Sequence, residues 1–249
     1  MEEQACALAE AGDFVLAAKL FRMAITVGPG KASLHEQLAQ CLLEAGDAEA
    51  AREAVTCATE LAPEWGEAYL TLARTQIELG QHQHALRSFD RCAELGCLGD
   101  EGALERAEAE RRAQRDLAAR TGLPQLLIGQ DTGGGAGPAG VIWECGAALA
   151  EYLTRHRGPG ALRGKRVLEL GAGTGVVGLA AALLGAQVTM TDLPAAMPLL
   201  RHNAAALADA VAAAGGSITV AELDWASVQG PEPACGAPQR AGSGPWTGP

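Results

Sequence analysis

Lys165-Arg-Val-Leu-Glu169-Leu-Gly171-Ala-Gly173-Thr-Gly175-Val-Val-Gly178-Leu-Ala is the stretch on which the reading of this chain turns. Arg166 to Leu170 has the length and apolar content of a buried strand. The glycines that follow make a tight turn into a helix expected to run to about Leu184. Downstream, Gln187 to Thr191 reads as a second strand ending at Asp192, and a helix is expected from about Ala195 to Ala213. A third strand, Ser217 to Leu223, ends at Asp224-Trp225. Strands alternating with helices imply a parallel, doubly wound sheet. Such sheets bind ligands beyond the carboxyl ends of their strands.

The glycine spacing alone leaves two ligands open. Gly173-x-Gly175-x-x-Gly178 fits the dinucleotide fingerprint, and Asp192 lies where a ribose-binding acid belongs. A nicotinamide dinucleotide is therefore one reading. Three features favour S-adenosyl-L-methionine (AdoMet). Glu169, at the end of the first strand, suits a cationic sulfonium and amino group and would repel a pyrophosphate. Asp224 ends the third strand, where a carboxylate can accept the adenine amino group. Trp143-Glu144 precedes the loop as a lid that could cover the ligand.

At these residues the chain resembles the family-16 methyltransferases, the seven-strand protein-lysine methyltransferases. The resemblance rests on Val-Ile-Trp143-Glu144, on Val-Leu-Glu169-Leu-Gly-Ala-Gly-Thr-Gly-Val-Val-Gly-Leu, on Val-Thr-Met-Thr-Asp192-Leu-Pro and on Glu-Leu-Asp224-Trp225, across roughly residues 123 to 225. It implies AdoMet-dependent methylation of a lysine ε-amine on a protein. It also implies that Trp143, Glu169, Gly171, Gly173, Asp192 and Asp224 line the cofactor pocket, with Trp225 beside the adenine. No catalytic residue is assigned.

The family pattern would continue with a fourth strand carrying an Asp, a nearby Asp-x-x-Tyr-like motif and three more strands, in the implied order three, two, one, four, five, seven, six. Residues 226–249 instead are rich in Gly, Pro, Ser and Ala and read as a disordered tail. The catalytic fold is thus expected to be an incomplete Rossmann-like class I methyltransferase sheet, spanning residues 122–225. Its first strand would have an unpaired edge, which calls for a partner that completes the sheet or else makes the chain poorly soluble. A truncated gene model or a splice form would account for the change.

Upstream, Leu123 to Ile128 reads as a short strand. Gln130 to Gly140 is too glycine-rich to hold one shape cheaply. A helix from Cys145 to His156 is expected, with Leu149, Tyr152 and Leu153 on one side.

Further upstream, Gly12, Gly46 and Gly80 are 34 residues apart, and Ala5, Ala39 and Ala73 keep the same register. So do Ala17, Ala51 and Ala85, then Ala24, Ala58 and Cys92, and the bulkier Phe21, Val55 and Phe89. Pro29 and Pro63 close two units, with Cys97 where a third proline is expected. This period and pattern resemble the tetratricopeptide repeat (TPR). Units of about residues 1–31, 32–65 and 66–99 are expected, each two helices joined at a glycine. Residues 100–121 would add a Glu- and Arg-rich helix covering the last apolar face, supported by the Glu108–Arg112 pair. The fold class is therefore α plus α/β: a helical TPR solenoid over 1–121 joined to the partial sheet.

Composition narrows the partners. The net charge of -11, without a basic patch, argues against nucleic acid. The apolar runs are too short to span a bilayer. Seven scattered cysteines, with no C-x-x-C pair and no histidine at ligand spacing, point to reduced thiols and no metal site. The acidic start resembles no leader, so the cytoplasm is expected, or the nucleus. His82, His84 and His202 read as surface residues, and Cys145 as a packed small residue. Two functions follow. One is a protein-lysine methyltransferase whose TPR groove receives a protein substrate or peptide partner. The other is a TPR scaffold with a vestigial AdoMet-binding half-domain.

Overall fold

The computed structural model describes residues 1–131 and 136–227. Three helix pairs come first: α1 (Glu2–Glu10) with α2 (Phe14–Val27), α3 (Ala32–Glu44) with α4 (Ala48–Leu61), and α5 (Gly66–Glu78) with α6 (His82–Glu94). Each pair turns at a glycine of the 34-residue register: φ is +82° at Gly12, +81° at Gly46 and +68° at Gly80, a backbone shape only glycine takes cheaply. Asp13 and Asp47 follow two of these glycines and cap α2 and α4, accepting from the amides of Leu16 at 3.1 Å and Ala50 at 3.2 Å. The repeated alanines are buried where helices cross, and Phe21, Val55 and Phe89 fill the larger gaps between them.

The third pair carries two differences. Gly66 opens α5 directly against the side chain of Cys97, where any Cβ would collide. The structure also bonds Cys97 to Cys92, where the sequence led us to expect free thiols.

Helix α7 (Asp100–Thr121) follows. Ala109 and Ala113 pack with Phe89 and Leu86 in the repeat core, while Leu117 belongs to the core of the second half. Glu108 gathers Arg111, Arg112 and Arg115 at 2.8, 3.2 and 3.1 Å.

Residues 123–128 do not form the expected strand. Leu126 and Ile128 are buried, but Gln114 of α7 supplies the backbone partners, its amide bonding both the N–H and the C=O of Ile128. Of the glycine-rich stretch, residues 132–135 lie outside the described residues, and Gly137–Gly140 forms a single 3₁₀ turn. Helix α8 (Glu144–Arg157) then buries Ala147, Ala150 and Thr154. Leu149 and Tyr152 of the expected apolar side are exposed, and only Leu153 packs on the core.

The second half is built on β1 (Arg166–Leu170), α9 (Val176–Leu183), β2 (Gln187–Asp192), α10 (Met197–Ala206), α11 (Ala208–Ala213) and β3 (Ser217–Glu222). The single helix expected over 195–213 is broken at Leu207. The strands are parallel in the order β1-β2-β3, with Arg166 opposite Gln187 and Gln187 opposite Ser217. The helices cover one face, over Val167, Val188, Met190, Ile218 and Val220. Leu168 and Leu170 point to the other face and are 62% and 51% exposed. Among the described residues β1 has no neighbour on its outer edge. The tail expected over 226–249 lies, from residue 228 on, outside the described residues. No helix of the described residues is long and apolar enough to cross a membrane.

Ion pairs and hydrogen bonds join the halves. Arg120 of α7 meets Glu151 at 2.9 Å and Glu144 at 3.3 Å on α8, and Gln83 donates to Gln130. His82 Nδ1 lies 2.6 Å from Asp116 Oδ2. Contrary to the expectation of surface residues, His82 and His84 are half-buried in this seam. Burial, then Arg87, lowers the pKa of His84 against a smaller opposing pull from Glu144. His202 is exposed as expected, and so is Cys145, which was expected to be packed.

Candidate functional site

The site forms where the three strands end. After β1 the chain takes positive φ at Gly171, Gly173 and Gly175, +67°, +54° and +81°. Two of these glycines also permit close approach. A Cβ at Gly171 would sit 3.3 Å from the ring of Trp225, and one at Gly173 would sit 3.1 Å from the Ala139 carbonyl oxygen. The turn is tied to β2 from several sides. Ala172 N–H donates to Thr191 O at 3.0 Å, and the Thr191 hydroxyl donates to Glu169 O at 2.8 Å.

Asp192 closes β2 and is 9% exposed. Its Oδ2 accepts from Gly173 N–H at 2.6 Å and its Oδ1 from Leu193 N–H at 2.7 Å. A carboxylate has about four lone-pair directions, so capacity remains for a ligand. Asp224 follows β3, and its Oδ1 accepts from Ala226 N–H at 2.9 Å. Asp192 and Asp224 line one cavity of ≈ 410 Å³ together with Gly171, Leu193, Leu223, Trp225 and Ala226. Its volume lies within the ~300–1,000 Å³ typical of small-molecule sites. One aromatic face and two carboxylates suit a nucleoside that carries hydroxyl and amino donors.

The other sequence-assigned residues stand outside this cavity. Gly173 meets the 3₁₀ turn through Ala139. Trp143, 58% exposed, donates its indole N–H to Pro138 O at 2.9 Å. Glu169 points away, beneath α9, where a Cβ at Gly178 would strike its carboxylate and Met190. Its Oε2 is buried with no hydrogen-bond partner. Burial raises its pKa to about 7; the Gly178 amide partly opposes this, and the Asp192 charge adds to it. The pleat explains the direction: residues two apart share a face, so Glu169 follows Val167 into the helix-covered layer.

Sequence reading missed Asn203, which is 1% exposed on α10. Its Nδ2 donates to Thr174 O at 2.9 Å and to Gly129 O at 3.0 Å, and its Oδ1 accepts from Gly129 N–H at 2.9 Å. It pins the glycine turn to the segment leading from the repeats. A lone asparagine in an alanine-rich helix was the one available signal.

Residues 8–65 match the tetratricopeptide repeat and residues 122–234 match the lysine methyltransferase family, so the chain joins a TPR segment to a lysine methyltransferase family domain. Among individual relatives, EEF1A lysine methyltransferase 3 of Mus musculus is 40% identical over 101 residues, covering 41% of this chain and 41% of that protein. Protein N-lysine methyltransferase METTL21A of Danio rerio is 51% identical over 67 residues, covering 27% of this chain and 30% of that protein. The chain thus spans well under half the length of these relatives. Of solved structures, the Sgt2 TPR domain from Aspergillus fumigatus aligns with 46% of this chain and 78% of its own, at 16% identity and a TM-score of 0.44.

Proposed function

We propose that the cavity at the strand ends binds AdoMet and that the chain serves a protein-lysine methyltransferase, with the repeats recruiting the protein to be methylated. The observation that carries this reading is the convergence of Asp192, Asp224 and Trp225 on one cavity beside a glycine turn. In this reading Asp192 holds the ribose hydroxyls while fixing the turn through Gly173. Asp224 accepts from the adenine amino group, and the Trp225 ring packs on the base. Gly171 keeps the turn low enough for that packing. Trp143 is the lid. Glu169, turned under α9 and away from the cavity, has no part in holding the ligand in this reading. AdoMet, when bound, supplies a sulfonium methyl for transfer to a deprotonated lysine amine. The protein's part is to orient the donor and exclude water. The proposed segments are the repeats over 1–121, the AdoMet-binding half over 122–225 and the tail over 226–249.

Calorimetric titration of the chain with AdoMet and with NAD tests this. AdoMet should bind, and Asp224→Ala should weaken it about tenfold by removing one charge-assisted bond. Binding of NAD without AdoMet would overturn the proposal.

A further inference from the structure

The first helices of successive pairs, with α7, line a groove of ≈ 570 Å³. Leu43 of α3, Ile77 of α5 and Ala109 of α7 give it an apolar floor, and Glu44, Glu78, Glu105 and Glu108 stand around it with Arg74 and Arg112. The two arginines are already matched: Arg74 holds Glu105 at 3.0 Å, and Arg112 holds Glu108 at 3.2 Å. Arg111 and Arg115, the other partners of Glu108, line a different groove with Pro124 and Leu127. Among the described residues, Glu44 and Glu78 make no ion pair, which leaves the groove two uncompensated negative charges.

The placement of those two is unfavourable for the helices that carry them. Glu44 is the last residue of α3 and Glu78 the last of α5, one repeat apart, and neither helix has a basic residue in its final turn. A helix C-terminus carries partial negative charge and disfavours an acid there. Glu10 ends α1 in the same register but outside the groove; at Glu44 and Glu78 the same helix-end position leaves two carboxylates at the groove, where a positive ligand would be favoured.

We propose that this groove takes a lysine- or arginine-bearing segment of a partner protein. Its cationic side chains meet Glu44 and Glu78, and an apolar side chain between them lies on Leu43 and Ile77. The apolar floor supplies contact area, and the unpaired carboxylates select charge and register. The inference deepens the recruiting role given to the repeats above, by naming the chemistry of what they recruit.

The test is fluorescence anisotropy with the full chain and a labelled peptide of alternating lysine and leucine. The same peptide with glutamate in place of lysine is the control. The lysine peptide should bind, the glutamate peptide should not, and raising salt from about 50 to about 300 mM should weaken binding several-fold. The double variant Glu44→Lys, Glu78→Lys should weaken it by at least about tenfold while leaving the thermal midpoint unchanged or raised. Glu44→Gln with Glu78→Gln should fall between. Equal binding of both peptides, an affinity unmoved by the reversal, or a dimer in sedimentation that the reversal abolishes without any peptide bound would overturn the proposal. AdoMet titrated into the same double variant keeps the two readings apart. Peptide binding that depends on Glu44 and Glu78 stands whether or not the cofactor binds, and cofactor binding stands if the peptide fails.

Discussion

In the repeats, each helix pair lays its apolar side on the next, and α7 covers the last with Ala109 and Ala113 while turning Glu108 and its arginines to water. In the sheet, α9, α10 and α11 cover one face, and among the described residues the opposite face leaves Leu168 and Leu170 in solvent beside a strand edge with no neighbour. The difference comes from where backbone hydrogen bonds are made. A helix satisfies its own N–H and C=O groups, so a solenoid can stop after any unit that has a polar outer side. A parallel strand depends on its neighbours, so a sheet that stops leaves both a polar edge and an apolar face.

This contrast can be broken at several points. Phe89→Ala empties the largest gap in the third repeat and should cost about 3–5 kcal/mol. If the repeats unfold as their own unit, the loss will appear in urea-induced unfolding while the strand-end cavity keeps its ligand affinity. A matching loss of ligand affinity would show the halves to be one cooperative body. Glu169→Gln probes the other side. The folded fit favours the protonated acid, so its contribution is complete below the ordinary value of 4.5 and is lost as pH rises through about 7. The glutamine variant should be more stable by roughly 3 kcal/mol at pH 8 and little changed at pH 4. Equal gains at both pH values would remove the buried-acid account. Gly178→Ala forces a methyl group onto Glu169 and Met190 and should cost about 1–3 kcal/mol. Gly46→Ala has open space and loses only the positive-φ preference, about 1–2 kcal/mol. Last, Leu168→Lys with Leu170→Lys should change stability by less than ~0.5 kcal/mol. It should nevertheless reduce self-association in light scattering, provided the bare face is what associates.

Much of this was legible from residue spacing. The 34-residue register located the helix turns because only glycine tolerates the backbone shape at Gly12, Gly46 and Gly80. The strands and their parallel direction were legible because three apolar runs are separated by helix-length segments, whereas their order was implied by the family resemblance. Residues 123–128 misled because a strand and an extended loop share the same apolar pattern, and the pairing with Gln114 on the preceding helix decides between them. The break at Leu207 carries neither glycine nor proline to mark it. On α8 the small Ala147 and Ala150 took the core side over Leu149 and Tyr152, because close helix contact favours the smaller face. At the site, Asp192 and Asp224 came together as their strand-end positions indicated. The direction of Glu169 was available from the two-residue strand period, and strand-end reasoning overlooked it. Asn203 offered only its isolation in an alanine-rich helix, because its partners, Gly129 and Thr174, lie far from it in sequence.

Because α7 gives Ala109 and Ala113 to one core and Leu117 to the other, with Gln114 pairing Ile128 between them, the chain has no clean place to be cut near residue 121. A fragment starting at residue 122 would discard a wall of its own interior. One starting at Asp100 would keep that wall but expose the side of the helix shaped for Phe89. The helix is a common beam, and dissection by proteolysis or recloning should leave it with the half whose behaviour is to be measured.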